Sequence, residues 1–249
     1  MAEERRGGGC RCAFGLGAAR LRAARFGEAG LAPGVALLRL LQIFDSGFPV
    51  GACAHSGGVE TYAALGGSLG DLRDILHAQI DLGWGRADLA AACLAWRAAG
   101  ETRAAVLAGL AARLDALKVV PAVRDTSVRL GRRTADLIAR LYPDAAVEVA
   151  PCHHAVVIGA AGRGLGLPLD PMLHGYAQSL TSGTLAAALR CMPISPAQAH
   201  QLLVELHPSI AAAVAEVLED PHAAMFSFTP ALDIRSAQQA QLRTRLFQS

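Results

Sequence analysis

Apolar residues recur at helical spacing through nearly every stretch that glycine and proline leave uninterrupted, and this periodicity most limits the folds open to the chain. Leu37, Leu38, Leu41 and Phe44 share one face of a first helix, which Gly47 and Pro49 end. Leu72, Ile75, Leu76 and Gln79 continue the period in a segment covering residues 71–99, where Gly83 and Gly85 interrupt it. Each glycine costs such a helix about 1 kcal/mol relative to alanine, so the segment packs closely, bends or breaks there. Further helices are predicted over residues 101–117, 123–141 and 168–191. Residues 151–166 hold the one strand-like run, AVVIG, which has no pairing partner and reads as helix.

Ser195-Pro196-Ala197-Gln198 is a helix start, with serine as N-cap, proline first and glutamine three residues after the cap. That helix is expected to end near His207, with Pro208 opening another to Glu219. Thr229 and Pro230 open the last helix, which runs towards Ser249. Its middle, residues 235–241, is almost wholly polar, while Leu232, Leu242, Leu246 and Phe247 lie near its ends. Such a segment has little to bury by itself and reads as a tail that orders on a partner. The expected architecture is all-α, a single-domain bundle of roughly eight to ten helices. Residues 1–34 form a disordered Gly/Ala/Arg-rich leader, 35–228 the helical domain and 229–249 the partner-binding tail.

Composition removes several function classes. Residues 1–34 carry six arginines against three glutamates, which leaves the remainder near neutral and without the basic face that nucleic-acid binding needs. Mean hydropathy is high at +0.33, yet no run of about 20 strongly apolar residues stands out as a membrane span. Apolar surface shared with partner subunits is the better account. The leader lacks the apolar core of a secretory signal. The six cysteines include no CxxC pair and read as reduced thiols of a cytoplasmic protein. Lys118 is the only lysine and no glycine-rich loop precedes it, which excludes a P-loop nucleotidase.

The stretch FPVGACAHSGGVE, residues 48–60, is the most chemically loaded. His55, Ser56 and Glu60 can be forced into a triad, but a nucleophile elbow needs glycine where Ala54 stands and a strand before the turn. Gly47, Gly51, Gly57 and Gly58 instead permit tight turns or close backbone approach. Ser56 then caps the following helix, Val59 and Tyr62 face inward, and Glu60 sits favourably in its first turn. His153 and His154 beside Cys152 offer metal-ligand atoms, but neighbours on a helix point in different directions.

These residues resemble a known family. LLRLLQIFDSGFPVGACAHSGGVE, residues 37–60, is similar to the opening of the urease accessory protein UreF family, a Leu-rich helix followed by D-S-x-F-P-x-G-x-F-x-H-S-x-G-L-E. SVRLGRR at 127–133, HHAVVIGAAGRGLGLPLD at 153–170 and FSFTPALDIRSAQQAQLRTRLFQS at 226–249 resemble later blocks of that family, in order. The chain departs from its pattern at Cys53, Ala122, Pro196 and His200, and lacks a mid-tail histidine.

The resemblance implies a non-enzymatic, all-helical maturation factor. Such a protein forms a homodimer, binds UreD (also called UreH) and recruits the GTPase UreG, and the assembly delivers Ni²⁺ to apo-urease. It implies no tightly bound cofactor or metal, with Ni²⁺ at most in transit, and neither nucleic acid nor membrane as partner. On this reading the tail docks on UreD through Arg235, Arg243, Arg245, Leu246 and Phe247, braced by the loop around His55, Ser56 and Glu60. Arg132, Arg133 and Arg190 are candidates for the GTPase-facing or dimer surface. Two readings from other classes stand beside it: a metal-dependent hydrolase using His55, His153 and His154, and a nucleic-acid regulator acting through the leader.

Overall fold

A computed structural model describes residues 31–51 and 55–247. The leader through residue 30, Cys53 and the last two residues lie outside them. Local signals set most helix boundaries. Pro33 opens α1 (Pro33–Ile43), and Pro121 opens α6 (Pro121–Leu141). Ser68 forms a capping box with Asp71 at the start of α3 (Leu69–Leu82), and Ser195 does the same with Gln198 at the start of α9 (Pro196–Glu219). The others are α2 (Val59–Ala64), α4 (Trp84–Arg97), α5 (Arg103–Leu117), α7 (His154–Gly164), α8 (Leu169–Cys191), α10 (Pro221–Ala224) and α11 (Pro230–Gln238). The bundle is therefore all-α, with ten helices of six residues or more, one single turn, and no strand among the described residues.

The core is built around α4, buried without a break from Ala87 to Ala95. A stretch apolar on every side but for Asp88 belongs inside, and α4 meets α3, α5, α7, α8, α9 and α10. Its small residues let α7 approach closely: a Cβ on Gly159 would lie 2.1 Å from the carbonyl oxygen of Ala92. The AVVIG run falls inside α7, whose residues Ala155 to Gly162 are all buried. Its β-branched side chains pack against surrounding helices, and tertiary burial overrides their strand propensity.

One open alternative is settled and three expectations change. The glycine-interrupted segment breaks outright: α3 ends and α4 begins at Gly83. Pro208 opens no helix but lies inside α9, which continues to Glu219. Proline there removes one bond to the carbonyl four residues back, and Val204, which carries that carbonyl, is on the exposed side. The last helix stops at Gln238 and a 3₁₀ turn carries the chain to Gln241, because its polar run offers no continuous apolar face. Ser56 does not cap α2; Gly58 does, in the left-handed region at φ 94°.

One apolar stripe of α1 points outward, while Ala36 and Ile43 face the core. Leu37, Leu38 and Leu41 are exposed, while Phe44 turns inward to stack on Tyr176 of α8 at 6.1 Å. By length and composition α9 could cross a membrane. Leu202, Leu206, Ile210, Val214 and Val217 instead line its core side, and Glu205 and Glu216 pair with Arg73 and Arg86 on its outer side.

Candidate partner-binding site

The tail returns to α2. Glu60, in the first turn of that helix, is only 5% exposed. Its carboxylate accepts from Gln239 Nε2 at 2.9 Å through one oxygen and from the backbone N–H of Leu246 through the other. Ser56 Oγ donates to Gln239 Oε1 at 3.1 Å, which turns the amide so that its NH₂ faces Glu60. Thr61 Oγ1 donates to the Arg235 carbonyl at 2.9 Å. The close approach requires glycine at position 58, where a Cβ would stand 2.7 Å from Ser236 Oγ.

Cations cover the edges of this junction. The Arg235 guanidinium lies 5.8 Å from the Tyr62 ring and donates to Gln238. Arg190 of α8 lies 5.9 Å from the ring of Phe247, which is buried. Arg243, Arg245 and Leu246 point to solvent. Tyr62 is half-buried beneath Arg235, while Val59 is fully inside.

The structure thus gathers Ser56, Glu60, Arg190, Arg235, Leu246 and Phe247 at one junction. His55 lies at the edge of α6, with Nδ1 3.3 Å from Thr126 Oγ1. Burial, then the charges of Arg129 and Arg133, hold its pKa below the ordinary value. Arg133 reaches the Val50 carbonyl at 3.4 Å, and Arg132 is exposed on α6. Gln239, which joins Ser56 to Glu60, has no signal in the sequence, since one polar residue in a polar run offers no contrast.

The three histidines of the metal reading do not converge. His153 is buried, with Nδ1 3.1 Å from Ser127 Oγ and Nε2 3.1 Å from Asp115 Oδ1. His154 Nδ1 meets the Tyr176 hydroxyl at 3.4 Å. No group of three potential ligands among the described residues could hold a metal ion. Ser127, His153 and Asp115 have the connectivity of a catalytic triad, but serine is on Nδ1 and aspartate on Nε2, the reverse of the working arrangement. Ser127 is also buried. The chain of bonds pins α5, α6 and the start of α7 together.

The UreF family model matches residues 68–207, more than half of the chain. The chain belongs to the UreF family. A urease accessory protein UreF from Rhodopseudomonas palustris (strain TIE-1) is 31% identical over 227 residues, covering 86% of this chain and 92% of the relative. That of Nostoc sp. (strain PCC 7120) is 27% identical over 218 residues, covering 85% and 95%. That of Azorhizobium caulinodans is 31% identical over 241 residues, covering 89% and 98%. Membership in the UreF family places the chain among non-catalytic accessory proteins of urease maturation.

Proposed function

We propose that this protein is the scaffold of a urease maturation complex: it binds UreD (UreH), recruits the GTPase UreG, and so supports GTP-coupled delivery of Ni²⁺ to apo-urease. The observation that carries this reading is the tail, whose inner side is held on α2 while Arg243, Arg245 and Leu246 face outward. A cationic and apolar edge of this kind is a recognition element. The tail meets UreD, with the loop around His55, Ser56 and Glu60 supporting it from within.

The protein acts as a homodimer. Leu37, Leu38 and Leu41 of α1 form an exposed apolar face. It is continuous with a cleft of about 490 Å³ lined by Leu41, Phe48, Pro49, Leu137 and Leu141, and a second copy would cover it. Arg133, which reaches the Val50 carbonyl, and its exposed neighbour Arg132 on α6 serve the dimer or the GTPase. Ni²⁺ passes as cargo, without a tightly held site in this subunit. The complex works in the cytoplasm. A scaffold shifts the GTPase between nucleotide states only by its difference in affinity for them.

The test is co-purification with UreD and UreG, with complex mass measured by light scattering, with and without GTP and Ni²⁺. A defined complex of all three supports the scaffold. Retention of UreD after removal of residues 229–249 would overturn the tail assignment.

A further inference from the structure

Beyond α11 the tail has almost no apolar anchorage. Of residues 239–247 only Gln239 and Phe247 are buried, and Leu246 is 66% exposed. A segment of nine residues pays a large conformational entropy to be placed, so something other than burial must hold it.

The polar contacts supply that hold, and they meet at one side chain. Glu60 takes Gln239 Nε2 on one oxygen and the Leu246 N–H on the other, gripping the segment near both ends. Bonds to a carboxylate are stronger than neutral ones, and shielding from water increases their worth. Ser56 fixes the orientation of the Gln239 amide, and Thr61 holds the Arg235 carbonyl just upstream. All three residues belong to the short stretch from Ser56 to Thr61, and Gly58 within it makes room for Ser236.

We infer that Glu60 is the catch that sets this strap in place, so that the edge bearing Arg243, Arg245 and Leu246 is presented ready-made to a partner surface combining acidic groups with an apolar recess. Glu60 is then a positioning residue: it touches no partner, and acts through the strap it holds. Preorganisation of this kind raises affinity by removing the ordering cost from the binding step. The inference rests on the reading that the tail meets UreD.

Glutamate is the residue this requires. Both contacts reach it as donors, and both of its oxygens accept. Glu60→Gln replaces one acceptor with an NH₂ group, so either Gln239 or the Leu246 N–H loses its bond.

The experiment is hydrogen–deuterium exchange on the full chain, free of partners, for wild type, Glu60→Gln and Gln239→Ala, followed by UreD capture with the same proteins and with a chain lacking residues 229–249. In both variants the amides of residues 239–247 should exchange about tenfold to a hundredfold faster, while those of α4 and α7 stay unchanged. Capture should weaken with them. Unaltered tail exchange in both variants would overturn the catch. Faster exchange with capture at wild-type strength, where the truncated chain fails to capture, would overturn ready-made presentation while leaving the tail reading intact. Capture by the truncated chain would remove the tail reading itself. Gln239→Ala lies outside the helical body and keeps the test valid should Glu60→Gln fold poorly.

Discussion

Gly131 of α6 lies so close to the carbonyl of Cys152 that a Cβ on the glycine would stand 1.7 Å from that oxygen. This contact brings α6 against the start of α7, where His153 reaches back to Ser127 one turn before the glycine. In SVRLGRR, the glycine is thus a packing requirement and the serine a hydrogen-bond partner. Gly131→Ala must push the two segments apart, at a cost of about 1–3 kcal/mol despite alanine's better helix propensity. Urea unfolding should show a lower midpoint with an unchanged slope.

Lys118, the chain's single lysine, bonds Asp88 of the central helix at 2.8 Å, with side-chain exposures of 13% and 9%. Lys118→Met strands a buried carboxylate and should cost about 3–5 kcal/mol. Lys118→Met with Asp88→Leu removes both charges and should cost less than the single change. Chemical denaturation of the four proteins in a double-mutant cycle measures the difference.

Stability should fall in mild acid. Burial lowers the His154 pKa from 6.5 to about 4, the Asp88 charge opposing and the Lys118 charge assisting; His153 is lowered too, chiefly by burial. A depressed folded-state pKa means that the unfolded chain takes up protons first as pH drops below 6.5. The contribution is complete above that pH and is lost towards pH 4, by up to about 3 kcal/mol for His154. Melting temperature recorded across this range should decline, and His154→Gln should flatten the decline. Equal slopes in the two proteins would contradict the assignment.

Leu38 on α1 is 67% exposed, so Leu38→Glu should leave the unfolding free energy of the isolated chain within about 0.5 kcal/mol of wild type. If the α1 face joins two copies, the same substitution reduces the light-scattering mass from dimer to monomer. A dimer that survives it uses another surface.

Much of the helical body is legible along the chain because its signals are local. The proline starts at Pro33, Pro121 and Pro196, the Ser195–Gln198 capping box and the breaking effect of Gly83 act within a few residues. Pro208 was misleading for a nonlocal reason: its placement on the exposed side of α9 lets the helix continue past it. The Leu37, Leu38 and Leu41 stripe is helical as its spacing requires, but periodicity cannot tell a face turned to the core from one turned to solvent.

The sequence by itself determined the all-α class, most helix boundaries and, through its ordered blocks, family membership. Propensity, capping and apolar period operate over one or two turns and need no knowledge of distant residues. Only the tertiary structure decided that Glu60 holds the tail, that Ser56 serves Gln239 rather than capping α2, and that His55, His153 and His154 have separate partners. The Glu60 and Ser56 contacts join residues 179 and 183 positions apart, and no local pattern records which polar group will meet which across that distance. Their pairing follows from where the packed helices bring the chain, and from the cost of burying a polar group without a partner.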